Sequence, residues 1–278
     1  MEQKNKWKFH KGSGPVISTA VHSGHQIRKE LVPKLALNSQ ERRREEDPLT
    51  EIFALSGDSF FASNTSRFEV DLNRSREKAI YLNEEDAWGL KVWKTTPSEE
   101  EIAQSLKEYE AFYLLMKNWI EEFISIYDNI IVLDFHSYNY RRETTETETH
   151  QQNSNDKKET ANHNSVTEDK NPDIDLGVTT ADPKKFGTVI KAFNNTLSGI
   201  KVKNQPITVH ENLRYPDGGH WPEWIYKNYK EYVCTITVEY KKIYMDEWTG
   251  TANLEVVEKL RQGTELAIKT AKKALKDV

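Results

Sequence analysis

His22, His136 and Glu239 stand where short apolar, β-branched runs give way to polar sequence. Ile130-Ile-Val-Leu133 leads into Asp134-Phe-His136-Ser137-Tyr-Asn139, Pro15-Val-Ile-Ser-Thr-Ala-Val21 leads into His22-Ser-Gly-His25, and Tyr232-Val-Cys-Thr-Ile-Thr-Val238 ends on Glu239. Runs of this length and composition are strands covered on both faces. In open α/β sheets ligands sit beyond the carboxyl ends of such strands, so Asp134, His136, Ser137 and Asn139 emerge where a site is expected. A single histidine after a strand is ordinarily structural. Polar groups recurring at three strand ends point to chemistry.

Two imidazoles need one carboxylate to make a three-ligand catalytic zinc site with an open fourth position. His22, at its strand end, is the better ligand; His25 reads as a ligand, a substrate contact or an exposed residue. The acidic run Glu45-Glu46-Asp47-Pro48 is a candidate source of the carboxylate. It equally suits the start of a helix over Leu49 to Leu55, with proline in the first turn and acids at the positive end of the dipole. A glutamate at the tip of an apolar strand is costly to bury unless paired or functional, which makes Glu239 the candidate general base. Ser66 to Arg74 alternates Phe68, Val70 and Leu72 with Arg67, Glu69, Asp71 and Asn73, predicting a period-2 strand. It ends in Asn73 and Arg74, an amide beside a fork that grips carboxylates, and Arg67 with Arg74 forms a local trap for an anionic substrate. In Tyr215-Pro-Asp-Gly-Gly-His220 the paired glycines allow a backbone to approach a ligand beside His220, or form an ordinary surface turn.

The elements that must position these residues alternate between strand and helix. Pro97-Ser98-Glu-Glu-Glu101 is a capping box, and Ile102, Leu106, Tyr109, Phe112, Tyr113, Met116, Trp119, Ile120 and Phe123 recur at helical spacing, predicting a helix over Ser98 to Tyr127. It feeds directly into the strand at Ile130, a crossover that implies parallel neighbours. Further helices are predicted over Pro183 to Leu197 and from Asn253 to about Lys276, with a strand at Ile207 to Val209. Thr144 to Asp169 is almost without apolar residues and reads as a polar, disordered insertion at the mouth of the site, its His150 and His163 not counted as ligands. The expected fold is one α/β domain over residues 1–278, with a mixed, mainly parallel sheet and helices on both faces.

Composition narrows the function. A chain of 278 residues with 36% hydrophobic content buries a sizeable core, and a net charge of −5 argues against a general nucleic-acid surface. The lone Cys234 excludes an internal disulfide and a cysteine-rich zinc module, which suits a reducing cytoplasm. No apolar stretch approaches the roughly 18 residues of a spanning helix, so no membrane partner is expected.

His22-Ser-Gly-His25, Glu46, Ser66-Arg-Phe-Glu-Val-Asp-Leu-Asn-Arg74, Asp134-Phe-His-Ser137, Gly218-Gly-His220, Val238-Glu239 and Tyr244-Met-Asp-Glu247 resemble the N-formylglutamate amidohydrolase family over about residues 16 to 250. That family is similar to the zinc carboxypeptidases and aspartoacylase, so the resemblance implies a zinc-carboxypeptidase-like fold of the phosphorylase/hydrolase-like type. Carboxypeptidase relatives use His-x-x-Glu for the first two ligands, whereas this chain has His22-x-x-His25. The resemblance therefore implies Glu46 as the carboxylate ligand, with His25 or Asp47 in reserve. It further implies Zn2+ on His22, Glu46 and His136, Glu239 as proton shuttle, Arg67 polarising the carbonyl, and Asn73 and Arg74 holding the carboxylate of a small anionic N-acyl amino acid. N-formyl-L-glutamate, giving formate and glutamate, is the expected substrate. Deacylation of another N-acyl amino acid or a peptide terminus, and an inactive carboxylate-binding protein, are the alternatives.

Overall fold

The structure is a computed structural model and describes residues 5–141 and 171–278. The polar stretch from Thr144 to Asp169 lies outside the described residues. In chain order the elements are β1 (Trp7–His10), β2 (Val16–Ala20), α1 (Ser39–Glu45), α2 (Thr50–Ala54), β3 (Ser59–Ser63), α3 (Glu99–Tyr127), β4 (Ile130–Tyr138), β5 (Ile174–Gly177), α4 (Pro183–Leu197), a small hairpin of β6 (Lys201–Val202) and β7 (Gln205–Pro206), β8 (Val209–Glu211), α5 (His220–Tyr229), β9 (Val233–Lys241) and α6 (Leu254–Leu275). The predicted caps are in place. Ser98 accepts from the Glu101 amide while Glu101 returns a carboxylate to the Ser98 amide at 2.7 Å, and Asn253 accepts from Val256. No helix among the described residues is long and apolar enough to cross a membrane.

The main sheet runs β1-β3-β2-β4-β9-β5-β8. β2 lies parallel to both β3 and β4, and β4 parallel to β9, while β1 on β3 and β5 on β9 are antiparallel. The sheet is therefore mixed and mostly parallel, in a single α/β domain. From β2 the chain steps to β3 on one side, then crosses through α3 to β4 on the other. That reversal opens a crevice beyond the carboxyl ends of β2 and β4.

Because helices cover both faces, the central strands are buried at nearly every position, and the period-2 alternation decides which face each side chain joins. Ile131, Leu133 and Phe135 of β4 join Ile236, Val238 and Tyr240 of β9 in a core with α2, α4 and α6. Ile130, Val132 and Val233 face α3 and α5. Continuing that second row past the apolar residues gives Asp134 and His136 on β4 and Thr237 and Glu239 on β9, with His136 registered against Glu239.

Three expectations change. Ser66 to Arg74 is not a strand but a series of turns, with the Glu69 and Val70 amides donating to the Ser66 carbonyl. Its carboxylates do not face water: Glu69 and Asp71 are buried, Glu69 on Arg28 and Asp71 on His22, so the alternation reflects internal ion pairs rather than a half-exposed pleat. The strand that precedes α3 is β3, whose Ser-Phe-Phe-Ala-Ser sequence carries little periodicity. The late strand begins at Val209 instead of Ile207, and α5 starts directly at His220, inside a region that reads as turn.

Under the site, Phe53 of α2 is fully buried, with its ring 4.3 Å from Tyr240 and 5.8 Å from Tyr244, centre to centre. Phe53→Ala is expected to lower stability by about 3–5 kcal/mol, since it deletes a buried ring from a closed aromatic cluster. The unfolding midpoint in urea, compared with wild type at equal slope, measures this.

Candidate active site

His22 follows β2, and its ring meets that of His136 on the neighbouring strand, with the two Nδ1 atoms 3.1 Å apart. Each imidazole is fixed from behind by a buried aspartate. His22 Nε2 lies 2.7 Å from Asp71 Oδ1, and His136 Nε2 lies 2.7 Å from Asp134 Oδ2. Such a bond places the proton on Nε2 in the neutral ring and leaves Nδ1 as a lone pair directed at its counterpart. Asp134 is in turn held by Thr19 Oγ1 at 2.6 Å, and Thr19 accepts from the Trp221 indole at 3.2 Å. Asp71 also accepts from Arg67 at 2.8 Å, from the Asn73 amide at 2.7 Å and from the Tyr81 hydroxyl.

The third donor is Asp47. Its Oδ2 lies 3.0 Å from His136 Nδ1 and 3.4 Å from His22 Nδ1, and Ser137 donates to Oδ1 at 3.2 Å. Glu46, assigned to the metal from the sequence, faces the other way. α1 ends at Glu45, and Glu46 has extended backbone (φ −80°, ψ 174°), so Glu46 and Asp47 project to opposite sides of the chain. Glu46 is buried against His25, Ser66 and Arg42 instead. His25, engaged by Glu46 and by Ser39 at 2.8 Å, does not line the cleft, so neither its ligand nor its substrate-binding role is supported by its position.

His22, Asp47 and His136 are buried and offer donor atoms within 4.8 Å of one another. A tetrahedral ion with bonds of about 2.0–2.1 Å holds its donors about 3.3 Å apart, so two imidazole nitrogens and one carboxylate oxygen at 3.0–3.4 Å fit three corners of a zinc site. The electrostatics favour positive charge at this focus. Burial works against a charged His136, but Asp134 and Asp47 override it and hold its pKa well above the ordinary value. Burial likewise opposes charge on Asp47, and hydrogen bonds from His136 and His22 override it and hold that carboxyl far below the carboxylate range.

A cleft of about 990 Å³ opens over these residues, and Glu239, Arg67, Asn73, Arg74 and His220 line it. Burial pushes the Glu239 carboxyl up to about 8, with Asp47 and Asp134 adding to the effect and His136 opposing it. Arg67 lies 4.7 Å from the Trp88 ring centre and donates to Asp71 and Tyr81. Asn73 differs from its expected role as a substrate contact, because both ends of its amide are engaged: Nδ2 donates to Gly218 at 2.7 Å and Oδ1 accepts from the Trp221 amide at 2.8 Å. It holds the turn that starts α5. That turn requires glycine, since Gly219 has φ +97° and a Cβ there would meet the Asn73 amide at 2.7 Å. The Arg74 guanidinium has no hydrogen bond or ion pair among the described residues, which leaves its fork open to the cleft. His220, at the first turn of α5, is half-buried at the cleft wall, and burial lowers its pKa.

Sequence reading left several supports unassigned. Asp134 was legible in principle, because Asp-x-His on a strand puts both side chains on one face. Asp71 carried the same kind of hint, a carboxylate between apolar neighbours. Lys242, whose amine is buried beneath Asp47, and Tyr81 gave no local signal.

The family model for N-formylglutamate amidohydrolase matches residues 14–245 of this chain. Among solved structures, the chain is similar to the crystal structure of N-formylglutamate amidohydrolase from Ralstonia eutropha JMP134, with 15% identity, a TM-score of 0.70, and coverage of 98% of this chain and 99% of that one. It is also similar to the crystal structure of a gene product from Agrobacterium tumefaciens, with 14% identity, a TM-score of 0.61, and coverage of 98% and 95%. At these identities both likenesses show the fold. A comparison with curated protein sequences gives no match. With the family match running from the strand before His22 through β9 and the residues that follow it, the chain belongs to the N-formylglutamate amidohydrolase family and is by that membership an amidohydrolase.

Proposed function

We propose that the chain is a zinc-dependent hydrolase that cleaves N-formyl-L-glutamate, or a closely similar N-acyl amino acid, at its linear amide bond. The observation that carries this reading is the convergence of His22 Nδ1, His136 Nδ1 and Asp47 Oδ2 in the same cleft as Glu239 and Arg74. Those three atoms would hold the ion, and two imidazoles with one carboxylate suit zinc. When bound, zinc supplies Lewis acidity, lowering the pKa of water toward about 7 and polarising a carbonyl.

The chain's own residues account for the rest of the reaction. Arg74 grips a substrate carboxylate, which places the acyl carbon over the cluster, and Arg67 meets the negative charge that develops on the carbonyl oxygen. Asp71 and Tyr81 keep Arg67 aimed by binding its Nη2 and Nε. Glu239 removes a proton from the attacking water. The water oxygen bonds to the acyl carbon, the C–N bond breaks, and Glu239 returns the proton to the leaving amine nitrogen. A carboxyl that burial moves to about 8 exchanges protons near neutrality, as a group acting first as base and then as acid must.

The reaction is tested with zinc-loaded protein by measuring formate release from N-formylglutamate beside amine release from acetyl and peptide analogues. Faster turnover of the larger acyl groups would replace the formyl substrate, and no hydrolysis of any of them would leave a carboxylate-binding protein. In chelator competition, Asp47→Ala is expected to weaken zinc by roughly tenfold or more, whereas Glu46→Gln keeps a larger share of the affinity; the reverse ranking restores Glu46 as the ligand. Glu239→Gln is expected to retain zinc and lower kcat by on the order of a hundredfold or more. Arg74→Ala should act mainly on KM, and substrates with the gripped carboxylate amidated should already be poor for wild type.

A further inference from the structure

Lys242 follows β9, and its side chain is buried at the floor of the cleft. Its Nζ donates to the Arg44 carbonyl at 2.6 Å, the Glu46 carbonyl at 2.8 Å and the Asn139 Oδ1 at 2.9 Å. Three acceptors require three N–H bonds, so the group is an ammonium with every donor engaged; a neutral amine has only two. None is left for a substrate. The three partners are informative: Arg44 and Glu46 belong to the segment that delivers Asp47, and Asn139 lies just beyond the end of β4, three residues from His136.

Other bonds also hold this segment, since Thr50 donates to the Asp47 carbonyl, Tyr244 to the Pro48 carbonyl and Arg44 to the Arg141 carbonyl, but among the described residues only Lys242 binds the Arg44 and Glu46 carbonyls. The Asp47 amide donates to the His22 carbonyl at 3.0 Å, and the Glu46 side chain anchors outward on His25, Ser66 and Arg42. Between those two anchors the chain must turn so that Asp47 faces the imidazoles. The ammonium draws the Arg44 and Glu46 carbonyls to one point, fixing that turn, and ties it to the strand that carries His136.

We propose that Lys242 is a positioning residue for the metal site, acting by holding the Arg44 to Asp47 turn against the end of β4 and so placing the Asp47 carboxylate. The proposal rests on the reading of Asp47 as a ligand. Lys242 itself touches neither metal nor substrate.

The test is zinc affinity by chelator competition, read together with the unfolding midpoint. Wild type is measured first; protein that takes up no zinc defeats the ligand reading itself, and this proposal with it. In a folded Lys242→Ala protein, zinc is expected to bind at least tenfold more weakly, with affinity recovered in part by methylammonium, which has three N–H donors, and not by tetramethylammonium, which has none. Zinc binding equal to wild type, or a loss that methylammonium leaves untouched, overturns the proposal. If Lys242→Ala does not fold, Asn139→Ala decides, since it removes one acceptor and leaves the ammonium in place. Several-fold weaker zinc at an unchanged midpoint supports the assignment, and unchanged zinc affinity overturns it.

Discussion

Each of the two buried imidazoles has an aspartate behind it, and the rest of the site depends on that pairing. Without Asp71 and Asp134 the His22 and His136 rings could rotate or exchange tautomers, and the two Nδ1 atoms would not be held face to face at 3.1 Å. The same bonds decide what the cluster can accept. Two nitrogen lone pairs and a carboxylate oxygen converging at a buried point repel one another, and a cation relieves that repulsion whether it arrives as a proton on His136 or as a metal. The raised pKa of His136 and the lowered pKa of Asp47 are two sides of this one demand for positive charge.

Buried carboxylates are tolerated only when fully partnered, and this constraint explains much of the surrounding structure. Asp71 is bound by His22, Arg67, Tyr81 and a backbone amide, and Asp134 by His136 and Thr19. Thr19 in turn reaches the Trp221 indole, so α5 communicates with His136 through a chain of hydrogen bonds. Glu239 differs from these two. It is buried, yet none of the hydrogen bonds among the described residues uses its carboxylate, and burial raises its pKa accordingly, as the proposed proton shuttle requires.

The strand ends were legible because a parallel sheet covered on both faces writes itself as apolar runs, and the polar residues that end those runs fall on its carboxyl edge. The ends of those runs therefore locate His22, His136 and Glu239 in the sequence itself, as caps and periodicity locate α3, α4 and α6. Loops carried no equivalent pattern. Glu46 and Asp47 are adjacent acids, and only the extended backbone after α1 decides which of them faces inward. The stretch from Ser66 to Arg74 misled for a related reason: alternation reports which side chains are alike, not whether the polar set meets water or a buried partner. Lys242 acts through backbone carbonyls, which have no residue signature.

The loop that carries Arg74 brings local positive charge to the cleft of a chain whose net charge is −5. Tyr109 donates to the Arg74 carbonyl and Tyr113 to the Leu72 carbonyl, both at 3.0 Å, so α3 pins the main chain from one side. Asn73 pins it from the other through Gly218 and Trp221. With the backbone fixed at both flanks, the Arg74 main chain is set relative to His22, Asp47 and His136, while its side chain stays free to adjust to a bound anion under the proposed reading. The same loop carries Asp71, two residues before Asn73, which orients His22, so the proposed anion grip and the proposed metal site share one support.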